Sequence, residues 1–225
     1  MAFNQHDDEK LLNIQKRFTI CPAGRKGEAM DETKDRRIRR TRRQIRRALA
    51  QLMQQKSASE ITVKELVDLA DINRSTFYLH YNDIFDLLAA VEQELFDEIH
   101  AAVHIHPVSS FEQEGLAFIE EVFSILYDNQ EICAALVGPH GDMAFLHRIE
   151  RMMEENVLQK LREDFPERRS SIDYGFAFCT TGAVGLIKHW LAGGCAEPPR
   201  EMAQLTYRMI HNMMTHGLAR PVSED

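Results

Sequence analysis

The chain has 225 residues, 27 Lys and Arg against 35 Asp and Glu, and a formal net charge of −8. Hydrophobic residues make up 44% and charged residues 28%, which excludes wholesale disorder and gives enough apolar mass for one or two small domains. Only 11 Gly and 7 Pro interrupt a composition rich in helix formers, so the expected fold class is all-α.

Residues 1–33 show weak periodicity. Leu11, Leu12, Ile14, Phe18 and Ile20 leave room for one short helix, and CPAGRKGEAMDET then reads as a linker. This segment is expected to be a mobile N-terminal arm. A helix is predicted over 35–55, where Ile38, Ile45, Ala48, Leu49, Leu52 and Met53 recur at helical spacing with arginines on the other faces. KSASEI breaks it. Thr62 and Glu65 then form a capping box that opens a short helix burying Val63, Leu66, Val67 and Ala70. Asp71 tolerates a left-handed turn, Ile72 is an apolar plug, and Asn73 suits the start of a second short helix, RSTFYLHY. Two short helices joined by so tight a turn make a helix-turn-helix. Asn82 or Asp83 caps a longer helix that runs to about His104, and Pro107 prevents its continuation. Further helices are expected at about 111–128, 131–137, 142–164, 170–193 and 198–218, for about nine in total.

Charge is segregated along the chain. Residues 34–80 hold twelve Lys and Arg against five Asp and Glu, whereas residues 81–225 hold ten against 24. A basic head on an acidic body points to a polyanion partner for the head alone. Arg74, Ser75 and Thr76 occupy the first turn of the second short helix. They are candidates for base reading in the major groove: Arg74 can fork onto guanine, and the two hydroxyl residues can donate or accept. Thr41, Arg42, Arg43, Lys64, Tyr78 and His80 are candidates for phosphate contacts. Phe77 should point inward.

The stretch RRIRRTRRQIRRALAQLMQQKSASEITVKELVDLADINRSTFYLHYNDIFDLL resembles the DNA-binding domain of TetR/AcrR-family transcriptional regulators. The Thr-Arg start of the first helix, the ITV capping box, the ADINRSTFYxHY segment and the pair Phe77-Tyr78 occur in order. GLIKHWLAGGCAEPPREMAQL is similar to the C-terminal pattern of a subclass that includes regulators of dihydroxyacetone-kinase operons. The resemblance implies an N-terminal three-helix DNA-binding domain (34–82) after the arm (1–33). A helical ligand-binding and dimerisation domain (83–225) would follow.

It further implies a transcriptional regulator, in most cases a repressor, that binds a pseudo-palindromic double-stranded operator. The homodimer would form through the helices at about 170–193 and 198–218, with release by a small-molecule effector. Two departures stand out. Asp71 replaces a frequent Gly, and Ile84 replaces a Lys that bonds phosphate, leaving the backbone amides of that helix start as the remaining phosphate ligands. The C-terminal resemblance and the missing Lys at Ile84 leave open an alternative, a co-regulator or coactivator that acts through a protein partner.

Other chemistries are weaker. His100, His104 and His106 have metal-compatible spacing, but a helix C-terminus favours histidines without any metal, and no metal site or cofactor is expected. No P-loop, Rossmann glycines, HExxH or GxSxG occurs, and no catalytic residues are assigned, so no enzyme is expected. Phe111, Phe118, Phe123, Tyr127, Met143, Phe145, Met152 and Met153 are candidates for an effector cavity or for ordinary core. Gly175, Ala177, Gly182, Ala183 and Gly185 suggest a close-packed helix seam with Trp190 beside it. The longest uncharged run, Tyr174 to Ile187, is too short to span a bilayer, and Cys21, Cys133, Cys179 and Cys195 form no CxxC pair. The expectation is a cytoplasmic protein with reduced thiols.

Overall fold

The computed structural model describes residues 29–106 and 111–214. Most of the expected arm, residues 1–28, therefore lies outside the described residues. The described residues are helical without strands, and the chain divides into two units, Met1–Arg42 and Arg43–Asp225. Helix α1 (Ala29–Met53) starts earlier than the sequence suggests, so the last part of the expected linker is helical.

After a single 3-10 turn at Ala58–Glu60 come α2 (Val63–Ala70) and α3 (Arg74–Tyr78). The long α4 (Ile84–Ile105) follows, then α5 (Phe111–Asp128) and α6 (Gln130–Leu136). Met143–Asp164 is one rod made of α7 (Met143–Met153), a π-helical segment (Glu154–Leu158) and α8 (Gln159–Asp164). The last two helices are α9 (Arg169–Ala192) and α10 (Pro199–Asn212). Counting that rod once leaves nine helices among the described residues.

In the second unit one apolar core runs from α1 to α10. Ile45, Leu49 and Met53 meet Leu66 of α2, Phe77 of α3, and Leu87 and Leu95 of α4. The same cluster continues through Phe123, Leu136, Trp190 and Ala203. Helix α5 packs against α4 and most extensively along α10. Two smaller groups of buried residues adjoin this core. One holds Val157, Leu158, Leu161 and Ile172; the other holds Ile99, Val103 and Met152.

Trp190 is buried in the core. Its indole Nε1 donates to the Glu197 carbonyl at 3.0 Å, and its ring meets Phe123 edge-on at 5.2 Å. The indole thereby fastens the turn between α9 and α10. In that turn Gly194 (φ +72°) and Cys195 (φ +54°) are both left-handed, and the Cys195 amide donates back to the Trp190 carbonyl at 3.0 Å.

Candidate functional site

The helix-turn-helix is built by local chemistry. The Thr62 hydroxyl accepts from the Glu65 amide at 3.2 Å, and Glu65 Oε2 accepts from the Thr62 amide at 3.0 Å, closing the capping box. Lys56 donates to the other Glu65 oxygen at 2.6 Å. The Lys56 ammonium first, then the Thr62 hydroxyl and amide, hold the Glu65 carboxyl down at about 2.

Asp71 terminates α2 in the left-handed region at φ 52°, as its short polar side chain allows, and the Ile72 amide reaches back to the Val67 carbonyl. Ile72 is half-buried against the core. Asn73 occupies the N-cap of α3, yet its side chain makes no cap bond. Its carbonyl instead accepts from the amides of Thr76 and Phe77 at 2.9 and 3.3 Å.

Phe77 is fully buried and anchors α3. Around it Arg74, Ser75 and Tyr78 are exposed, and Thr76 and His80 are half-buried. Arg74, Ser75, Thr76, Tyr78 and His80 thus share the five-residue α3 and the turn that follows it. Lys64 is exposed in the first turn of α2, which packs against α3. Arg43 is exposed at the start of the second unit, whereas Thr41 (half-buried) and Arg42 (exposed) belong to the first.

The basic block is not uniform. Arg46 Nη1 donates to Glu94 at 3.1 Å and Nη2 to the Asn129 side chain at 2.8 Å. Arg47 pairs with Glu131 at 3.2 Å. Arg46, with its side chain largely covered, ties α1 to α4 and to the α5–α6 turn and so belongs to the scaffold, whereas Arg47 stays exposed and its pairing with Glu131 lies at the surface.

The start of α4 also departs from expectation. Ile84 is buried, so the residue that stands where the resemblance leads one to expect a phosphate-binding Lys fills the core. The neighbouring amides are already committed: Asp86 donates to Asp83 at 2.8 Å, and Asn82 donates to Asp86 at 2.8 Å. Two carboxylates at this helix start make it a poor phosphate ligand.

A second feature is a cavity of about 250 Å³ in the second unit. All three apolar clusters contribute to its wall: Leu95 and Phe123 from the main core, Val157, Leu161 and Ile172 from the second, and Ile99 from the third. Of the aromatic and methionine candidates, Phe118, Phe123, Phe145 and Met153 line it. Met152 is core, Tyr127 and Met143 are exposed, and the Phe111 side chain lies outside the described residues. The sequence gives no sign of the π-helical segment that brings Val157 to the wall; such bulges recur at functional sites.

The small-residue run of α9 divides. Gly175 is buried and Ala183 lines the cavity, while Ala177, Gly182 and Gly185 face outward with Tyr174 and Phe178. Added Cβ atoms at Gly182 or Gly185 would meet nothing within 4 Å.

The histidines do not converge. His100 and His104 face each other at 3.1 Å, whereas His106 turns to Glu114 at 3.3 Å. Among the described residues no group of three or more His, Cys, Asp or Glu is placed to hold a metal. Burial pushes the Cys133 thiol up to about 12 and raises Cys179 and Cys195, so all three stay protonated. Among the described residues no helix is long and apolar enough to cross a membrane.

Residues 113–212 match the TetR_C_8 family, described as "Transcriptional regulator C-terminal region". Over 174 residues the chain is 26% identical to the HTH-type transcriptional regulator YxbF of Bacillus subtilis (strain 168). That alignment covers 76% of this chain and 44% of YxbF, so the chain spans less than half the length of this curated relative. Among solved structures, the fatty acid degradation regulator FadR from Bacillus halodurans shares the fold. Its TM-score is 0.55 at 14% identity over 80% of this chain and 97% of that one. The TetR transcriptional regulator from Streptococcus agalactiae 2603V has a TM-score of 0.47 and 26% identity over 80% and 98% of the two chains. The dihydroxyacetone kinase operon activator DhaS has a TM-score of 0.48 and 16% identity over 78% and 96%.

Proposed function

We propose, from the premise that this chain belongs to the TetR family of DNA-binding transcriptional regulators, that it is a repressor. It binds a pseudo-palindromic operator as a homodimer and lets go when a small molecule fills the cavity. The observation that carries the reading is the anchored recognition turn. Buried Phe77 holds a five-residue helix whose exposed first turn presents Arg74 and Ser75, with Thr76 beside them. Side chains of this size and polarity at a helix start suit major-groove base edges.

In this reading Arg74, Ser75 and Thr76 read bases, and Thr41, Arg42, Arg43, Lys64, Tyr78 and His80 hold phosphates. Residues 34–82 act as the reading head and 83–225 as the regulatory body. The two subunits meet through α9 and α10, where Tyr174 and Phe178 stand 77% and 72% exposed in the single chain. Exposed aromatics on one helix face beside open glycines support an isologous helix–helix contact. Leu95 and Ile99 link the two activities: they stand on α4, the helix that begins beside the recognition turn, and also line the cavity. A ligand can therefore bias the head through α4.

Fluorescence anisotropy with DNA from upstream of the protein's own gene, against a scrambled duplex across a salt series, tests the reading. Tight binding that prefers the upstream duplex, with a steep salt slope, is the expected result. Equal, weak binding to both would count against autoregulation through this site.

A further inference from the structure

The cavity has a chemical character that narrows what it can hold, and the argument rests on reading it as the effector site. The hydroxyl, imidazole and carboxylate side chains on its described wall are each engaged. The Thr180 hydroxyl donates to the Phe176 carbonyl at 2.9 Å, and the Thr206 hydroxyl donates to the Met202 carbonyl at 2.8 Å. His106 is held by Glu114, and Glu150 by His147 at 3.0 Å. The Glu114 and Glu150 side chains are 44% and 48% exposed, so these carboxylates lie toward solvent and not inside. Cys133 and Cys179 remain thiols, which also argues against capture of an electrophile by a thiolate. Among the described residues that line the cavity, none is Lys or Arg.

A carboxylate, phosphate or sulfate carried into such a space would lose its hydration and meet no Lys or Arg, and the one imidazole on the described wall, His106, already faces Glu114. A buried ammonium would fare no better. Stripping water from an unpaired ion costs far more than apolar contact returns. A neutral apolar body loses little hydration and gains contact along the whole wall. Size agrees, since dry apolar cavities of about 150 Å³ already take benzene.

We infer that the effector is an uncharged, predominantly apolar small molecule, recognised by shape and desolvation, with no ion pair and no hydrogen bond from the wall required. Charged amphiphiles of equal chain length are rejected.

The test uses the full-length protein and three probes of one chain length: 1-octanol, octanoate and octylammonium at pH 8. Trp190 is the single tryptophan and touches Phe123 of the cavity wall, so its fluorescence reports filling, with native mass spectrometry as a second readout. Octanol should bind at least about ten-fold more tightly than either ion. Equal or tighter binding of octanoate or octylammonium overturns the inference, as does failure of all three to bind.

Ala183→Phe should occlude the space and abolish octanol binding while the helical circular dichroism is kept. Thr180→Val, which keeps the volume and removes the hydroxyl, should leave octanol affinity within about two-fold; a larger loss shows a required hydrogen bond and overturns recognition by shape alone. Release of the upstream duplex is scored separately. Octanol that binds without releasing DNA leaves the ligand class standing and removes the effector role.

Discussion

Arg74 and Arg42 carry the same charge, but their removal should have different consequences. In the proposed reading the Arg74 guanidinium forks onto a guanine edge, so Arg74→Ala should weaken operator binding by about 1–3 kcal/mol and relax sequence choice. Equal losses on operator and scrambled DNA would remove it from base reading. Arg42→Ala should weaken all duplexes alike and lower the salt slope by about 1, and a loss confined to the operator would argue against phosphate contact.

Glu92 poses a different problem at this scale. Its Oε1 is buried with no hydrogen-bond partner. Burial first, then the neighbouring Asp142 carboxylate, raises its carboxyl from the ordinary 4.5 to about 7, with Arg148 pulling the other way. The folded chain therefore holds this proton where the unfolded chain has lost it. Stability from this group is complete below about pH 4.5, falls as pH rises toward 7, and stays low above. Because the side chain is only partly buried, screening reduces the effect to about 1 kcal/mol. Glu92→Gln should raise stability by that amount at pH 8 and flatten the profile between pH 5 and 8 in denaturant titrations. An unchanged slope would show that Glu92 titrates normally.

Among the elements, α2 and α3 depend on contacts within a few residues. The capping box, the left-handed Asp71 and the inward Phe77 all follow from neighbours in sequence, which is why this part is legible in the amino-acid sequence alone. Asp71 is the sensitive joint. Asp71→Val should destabilise by about 1–2 kcal/mol, because a β-branched side chain resists φ 52°, whereas Asp71→Gly should be near neutral. Thermal melts of both variants check this; equal effects would show that the side chain matters more than the backbone angle. The boundaries of α1 and the interruption of the 142–164 helix were less legible. A π-helical segment changes the register by one residue without any distinctive residue type, so only packing selects it.

At the scale of the whole molecule, the proposed homodimer needs an apolar face on which two copies meet. Phe178 and Tyr174 are large apolar groups left in solvent on α9, and across a two-fold axis each would face its own copy. Phe178→Glu should place like charges in that contact and weaken self-association by ~2 kcal/mol or more, seen as monomer in sedimentation, with loss of tight operator binding. A dimer of unchanged stability would place the interface elsewhere.

The all-helical class, the short capped helices, the turn and the family resemblance could be read from residues close together in the chain. Their energetics are local: 3.6-residue periodicity, side-chain caps and backbone preferences. Other features required residues far apart to come together. Arg46 reaches Glu94 and Asn129, 48 and 83 positions away, and so leaves the basic face that composition alone assigns to it. Ile84 turns inward, Trp190 joins the core, and the small residues of α9 divide between cavity and solvent. The cavity is walled by residues of three apolar clusters that lie far apart in the sequence. Hydrophobic periodicity specifies which side of a helix is buried, but not whether the buried sides meet. That depends on how whole helices stack, and only the tertiary structure decides it.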